Sequence, residues 1–521
     1  MRITLHRRAL LLICFSLTTL AGGCKEEKKP VEIPPEQLVG LFKNISGCRQ
    51  KYAEMDARID AAGVRNPAFH RVPGFPYLRT DRLMASYRDQ LGTFDEAAGW
   101  VRRMREFDQE AREFEYENLG MTSQEAAILR FDFLVCSQGL AGLEMEIPSN
   151  FELVRESASV PDDYSTKTQL LGLYPLSTPL LRSKISRFEN AVRAEFAQPA
   201  EALIGDGPQV QWQVDQVEDL SLVPKHIYET SPDELGLPGL VDSAWRAVAE
   251  AYAPQLAGSA DGKAGLLGAP TWTASGLTVD TSKPTVNYQI GFVRFGQMSL
   301  IQVDYFLWFK RPAGTSVAKD AAPIDGLIWR VTLDEFLKPL AYDSLRASGS
   351  EHFWFPVQTR LQRQAAVDGQ PPFLPQDGLA PESPRLLLAS SNGELRQVQS
   401  AATPLAKAET RRYQLQRYED LYRLPLPSGG SRSLFDTAGF VPGSDSEAPG
   451  WMLASGIAEP GRLRHLAHLP VDYIGRRHFD DAHLLETVFV PLPAPPIPAQ
   501  VELGASAPPA MSAMSAGDAA R

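Results

Sequence analysis

With 521 residues, 44% of them hydrophobic, the chain is longer than one core can serve and has the apolar content to bury two or three. Its formal net charge of −11, from 63 acidic against 52 basic residues, argues against nucleic acid or anionic lipid as the main partner. No GxSxG, HExxH, CxxC, phosphate loop or GxGxxG occurs, so the common hydrolase and nucleotide chemistries lose ground.

At the N-terminus, Arg2, Arg7 and Arg8 precede an apolar run from Ala9 to Leu20, followed by small residues and Cys24. That run spans about 18 Å as a helix, against about 30 Å of hydrocarbon core, so residues 1–23 read as a secretion signal rather than a membrane span. The stretch Leu20-Ala21-Gly22-Gly23-Cys24 resembles the lipobox of bacterial lipoproteins, although Ala21 stands where the family usually has leucine. The resemblance implies lipid attachment at Cys24, which becomes the first mature residue. Lys25, in place of the aspartate that holds such proteins in the inner membrane, implies the outer one. Residues 24–35, with KEEKKPVEIPP, read as a solvated tether reaching at most about 36 Å. No later apolar run approaches span length, so the remainder reads as a soluble body facing the periplasm or the cell surface.

Residues 36–150 read as a helical region. Apolar residues recur at helical spacing over 35–62 and 79–118, and Thr122 with Glu125 forms a capping-box pattern that opens a third helix from Ser123 to about Glu146, closed by Pro148. Between the first two, HRVPGFPYLRT forces a non-helical crossing. Cys14 lies in the signal and Cys24 takes lipid, so Cys48 and Cys136 remain. In an oxidising compartment they are expected to pair, stapling the first helix to the third, worth about 4 to 5 kcal/mol.

Residues 151–256 read as a mixed α/β region, with a helix near Leu180 to Phe196, a strand over Val210 to Val217, and a capping pattern at Ser231 and Glu234 ahead of a helix near Val241 to Tyr252. Four glycines in 257–270 mark a boundary or long loop. Residues 271–490 then turn strand-like in TVNYQIGFVRFG, MSLIQVDYFLWFKRP and DGLIWRVTLDEF, the middle one apolar on both faces. Turns at Phe295-Gly296-Gln297 and Asp325-Gly326 favour antiparallel neighbours. Proline-rich 361–385 reads as an exposed excursion, and 491–521 as a disordered Pro/Ala/Ser tail. The fold class is therefore α+β: an N-terminal helical region followed by a curved, mostly antiparallel sheet packed by helices.

Three patterns invite chemistry. Ser316 to Lys319 matches SxxK by chance, without its partner motif. Tyr288, Phe292, Tyr305, Trp308, Trp329 and Trp354 offer a stacking surface for glycan or, since aromatics fall on both strand faces, a core. HLAHLPVDYIGRRHFDDAHLLE, His465 to Glu486, holds four of the eight histidines. Its spacing matches no recognised metal set. Asp480 or Asp481 reads as a helix N-cap, and Arg476-Arg477 with Asp480-Asp481 as an ion-pair cluster. The alternative is a metal site of His468, His478 and Asp481. GRRHFDDAHLLE and IDGLIWRVTLD together resemble an uncharacterised family of proteobacterial envelope proteins, which implies a host with two membranes and no activity. The expectation is a lipoprotein with a binding or scaffolding role, no cofactor, the membrane as one partner and an envelope protein or glycan as another. An envelope hydrolase or metalloenzyme using 465–483 is the alternative, distinguished by a cleft into which at least two of His352, His465, His468, His478 and His483 point.

Overall fold

The computed structural model describes residues 35–491 except for short internal segments, the longest being 312–321, and describes side chains of the first helix from Gly47 onward. The signal, Cys24, the tether, the SxxK stretch, Ser231 and the tail beyond Pro491 lie outside the described residues.

The N-terminal region builds α1 (Pro35–Ala62), the hairpin β1 (His70–Val72) and β2 (Phe75–Thr80), α2 (Arg82–Tyr87), α3 (Phe94–Asn118), α4 (Ser123–Glu144) and α5 (Pro148–Ser157). The crossing expected from HRVPGFPYLRT is that hairpin, turning at Gly74 with φ +83°. The helix expected over 79–118 is instead broken. Thr93 and Glu96 form a capping box that restarts it as α3, just as Thr122 and Glu125 open α4. Pro148 sits in the first turn of α5, where its missing N–H costs nothing. Cys48 and Cys136 are joined by a disulfide, Cα–Cα 5.4 Å, holding α1 against α4. Beneath it lies a buried ion network: Arg79 donates to Asp108 at 3.0 Å and to both oxygens of Glu115, and Arg112 to Asp108 at 2.8 Å and Asp56 at 3.0 Å. Each buried guanidinium thus has carboxylates on hand, as burial of charge requires.

The expectation that no apolar run beyond the tether approaches span length does not hold for α4, which is long and apolar enough to cross a membrane, with a mean hydropathy of 1.4 over its most apolar stretch. Its inner side, Phe133, Cys136, Leu140 and Ala141, is buried in the N-terminal core.

The chain continues through α6 (Thr166–Leu171), α7 (Tyr174–Phe196), α8 (Ala200–Ile204), β3 (Gln209–Val214), α9 (Ile227–Thr230) and α10 (Asp242–Ala251). The glycine-rich break holds β4 (Gln255–Ser259), a short 3-10 turn and the start of β5 (Ala269–Thr273), which forms a hairpin with β6 (Gly276–Asp280). Then come β7 (Thr285–Phe295), β8 (Met298–Lys310), β9 (Ile324–Leu333), β10 (Pro339–Arg346), β11 (Phe353–Pro356), β12 (Leu361–Arg363), β13 (Pro384–Leu388), β14 (Leu395–Ser400), β15 (Ala408–Arg417), the small pair β16 (Leu424–Pro425) and β17 (Ser431–Arg432), α11 (Leu484–Val488) and β18 (Phe489–Pro491).

Ten strands make one curled sheet in the order β11-β10-β9-β8-β7-β15-β3-β4-β13-β14. Most neighbours are antiparallel; β7–β15, β15–β3 and β4–β13 are parallel. This is the α+β fold with a curved, mostly antiparallel sheet. β3 and β4 belong to the same sheet as β7 to β11, so the glycine-rich stretch does not interrupt it.

On β8, Ile301, Val303, Tyr305, Leu307 and Phe309 face a core closed by α7 and α10, while Phe306 and Trp308 face a second core shared with the C-terminal segment. Of the six aromatics weighed as a glycan surface, Tyr288, Tyr305, Trp308, Trp329 and Trp354 are buried core. Asp325-Gly326 is not a turn but lies within β9. A Cβ on Gly326 would meet Ala347 at 2.8 Å and the Trp308 ring at 3.0 Å, which is why glycine stands there. The 361–385 excursion is partly core too, with Phe373 and Ala380 buried.

Candidate functional site

The His465–Glu486 stretch is a polar seam in which the protein supplies partners to the imidazoles. His465 is wholly buried: its Nε2 shares a hydrogen bond of 2.7 Å with the Tyr422 hydroxyl, and its Nδ1 accepts the Ala467 N–H. His468 meets Asp163 Oδ1 at 3.1 Å and the Pro67 carbonyl at 3.2 Å. His478 Nε2 accepts the Asp163 backbone N–H at 3.3 Å. His483 sits apart, on Glu486 at 2.5 Å. Burial pushes His465 well below its ordinary range and, with the nearby Arg82 charge, takes His478 down to about 3. His70, absent from the sequence reasoning, stands 5.3 Å from the His468 ring and is lowered to about 4 by burial and then by His468.

The cluster forms through Asp163 rather than Asp481. Asp481 accepts the His478 N–H at 2.6 Å and does not cap α11, whose N-cap is His483. The expected arginine–aspartate cluster also pairs otherwise: Arg477 with Asp472 at 2.7 Å, Arg476 with Asp162 at 3.1 Å, and Asp480 with Arg82 at 2.9 Å. The last two pairs tie the C-terminal segment to the loop before α6 and to α2, and the first braces the segment itself. Among the described residues no group of three or more His, Cys, Asp or Glu is placed to hold a metal ion, the trio His468, His478 and Asp481 included.

A separate cleft of about 410 Å³ opens where the turn after β10 meets α7 and the C-terminal segment. Of the five histidines weighed for a cleft, only His352 lines it. Its floor is built by strand ends: Asp325 on β9, Arg346 closing β10, Phe353 opening β11 and Glu394 ahead of β14. α7 brings Phe188 and Glu189 to one wall, and Tyr473 comes from the C-terminal side. Arg346 donates to Asp325 at 3.0 Å and to Glu394 at 2.7 Å, with Glu351 at 3.8 Å. Burial opposes its charge and the three carboxylates more than restore it, so it stays a cation. The turn is strained at Glu351, whose φ of +60° is a left-handed conformation that a side chain rarely adopts.

His352 is set by what lies behind it. Arg330 grips Asp343 through two bonds of 2.9 and 2.8 Å, and His352 Nε2 meets the same carboxylate at 2.8 Å. Burial raises Asp343, but Arg330 and His352 lower it further, so it is an ionised acceptor and the Nε2 atom carries the proton. Burial lowers His352 in spite of that carboxylate, which leaves the ring neutral. Nδ1 is then a lone-pair acceptor, and it has no protein partner among the described residues. Two further charges at the cleft are also without a hydrogen bond or ion pair among the described residues, the Glu189 carboxylate and the Arg311 guanidinium. Burial raises Glu189, with Arg193 and Arg363 working against it. Lining residues run from Ile185 to Tyr473, so no local motif marks the site; the one signal in the sequence was polar, turn-rich Arg346–His352 between two strong strands.

Compared with known protein families, with curated proteins and with solved structures, the chain matches none of them.

Proposed function

We propose that this chain is an outer-membrane lipoprotein, anchored through Cys24, whose soluble body binds a small zwitterionic ligand, such as a short peptide, in the cleft beside β10. The observation that carries the proposal is the pair of opposite charges at one cleft, Glu189 and Arg311, that have no partner among the described residues, with the His352 Nδ1 acceptor on the same lining. The other charged groups of the cleft are engaged with one another, so they shape it rather than await a ligand. Phe188 and Phe353 add apolar surface for a side chain, and the volume suits a small molecule. His465 and His468, whose ring nitrogens both meet protein groups, support binding over metal chemistry as the protein's work.

The test is calorimetric titration of the mature chain with a panel of di- and tripeptides, their amidated and acetylated forms, and neutral oligosaccharides. Saturable binding of a free peptide, weakened on the order of tenfold by either blocked terminus, is expected, since one charge-assisted contact is worth roughly 1.5–3 kcal/mol. No saturable heat with any peptide, or binding of the neutral oligosaccharides instead, overturns it.

A second reading, hydrolysis of the same ligand class, is favoured by the His352–Asp343 pair alone. Nδ1 would take a proton from water while Asp343 and Arg330 hold the ring. Slow cleavage of a bound peptide, abolished in His352→Gln with affinity kept within a few-fold, would establish it.

A further inference from the structure

We infer that the outer face of α4 lies on the surface of a zwitterionic phospholipid bilayer, an inference that takes the Cys24 anchor from the proposal above. Phe131 is 66% exposed, Ile128 57% and Val135 52%, large apolar side chains at i, i+3 and i+7 and therefore on one face. Leu134 stands beside them, 36% exposed. Exposed apolar residues scattered singly need no explanation, but a stripe of this kind on one helix does.

Three observations select lipid as its cover. The charges flanking the stripe are already paired, Lys51 with Asp132 at 2.6 Å and Arg130 with Glu113, so the face offers no net charge to a polar partner. The helix is fixed in place, since its inner side is core and Cys136 is bonded to Cys48 of α1. It therefore lies along a surface instead of crossing it, although its length and mean hydropathy of 1.4 would permit a span. Finally, α1 begins eleven residues after Cys24, within about 36 Å of chain, and runs antiparallel to α4, with Arg49 against Glu144 and Lys51 against Asp132. A tether of that reach lets the α1–α4 pair, and with it the stripe, meet the surface that holds the anchor.

The probe is a vesicle of phosphatidylcholine and phosphatidylethanolamine, floated with the mature chain carrying Cys24→Ser and exported on an ordinary secretory signal. Weak co-flotation that salt leaves unchanged is expected. Phe131→Asp with Val135→Asp should reduce it on the order of tenfold or more, because each side chain loses its burial. Both positions are exposed, so the intact Cys48–Cys136 bond and unchanged thermal unfolding certify the fold of the double variant. No flotation of the Cys24→Ser chain, flotation untouched by the double variant, or a stripe-dependent dimer in light scattering would each overturn the inference. The anchor is scored separately, by the mass of the Cys24 peptide in the native chain. A bare cysteine there would remove the anchor and leave the vesicle result for the Cys24→Ser chain standing.

Discussion

The histidine seam and the cleft both collect charged groups and imidazoles inside one sheet-based body, and they differ in what remains unspent. In the seam, His465 and His468 use both ring nitrogens on the protein, and Asp163 serves His468, His478 and Arg82 at once. At the cleft, Asp343 holds one nitrogen of His352 and leaves the other without a hydrogen-bonding partner among the described residues. Density of polar residues is therefore a poor guide to a site. The better guide is the hydrogen-bonding capacity that folding leaves unused, because an unmet buried group costs energy until something meets it.

Arg330→Ala should have the largest effect, since it strips the buried Asp343 of its bidentate partner: about 3–5 kcal/mol of stability, read by denaturant unfolding. A smaller loss would mean that Asp343 takes up a proton and that the cleft face tolerates rearrangement. Next, Asp163→Ala should cost about 2–3 kcal/mol by the same measurement and leave peptide binding intact, because it removes a carboxylate partner from His468 and from Arg82, while the backbone N–H that His478 accepts remains. If it changed binding as much as stability, seam and cleft would be one unit.

Third comes acid. The unfolded chain holds His478 near about 6.5, and the folded chain near about 3, so below about 6.5 the unfolded state binds the proton first. The stability tied to neutral His478 is present above that pH and is lost as the pH falls towards the folded value. Asp304 and Asp481, pushed by burial up to about 7, act with the opposite sign, their contribution growing as pH falls. Comparing the wild type with His478→Gln between pH 6.5 and 4.5 isolates the histidine: the variant should lose less stability over that interval, by about 2 kcal/mol. Equal slopes would show that His478 is protonated when folded. Last, Glu189→Gln should shift unfolding by less than about 0.5 kcal/mol while weakening peptide binding on the order of tenfold, the reverse of Asp163→Ala.

Local devices were legible in the sequence, and long-range ones were not. The limits of α1, the Thr122–Glu125 box that opens α4, and the alternation of β7, β8 and β9 follow from spacing alone. The Thr93–Glu96 box was equally present but lay hidden inside an apolar pattern that ran through it. Asp325-Gly326 looked like a turn because a glycine required by the Trp308 ring has the same letters as one required by φ. Asp163, the hub of the seam, stands more than three hundred residues from its histidines, and the cleft draws on residues from α7 to the C-terminal segment. Neither has a sequence period to betray it.

The place of β15 in the sheet fixes an order of events. Its first half pairs with β3, Ala408 against Gln209, and its second half with β7, Gln414 against Thr285. A chain made from its N-terminus therefore holds β3 and β7 well before the strand that joins them exists. The disulfide-linked helices can close early, since Cys136 follows Cys48 by 88 residues, whereas the sheet completes last. Pairings of such separation make folding slow and leave β3 and β7 with open edges meanwhile, so a nascent chain of this protein needs its edges guarded until residue 417 has emerged.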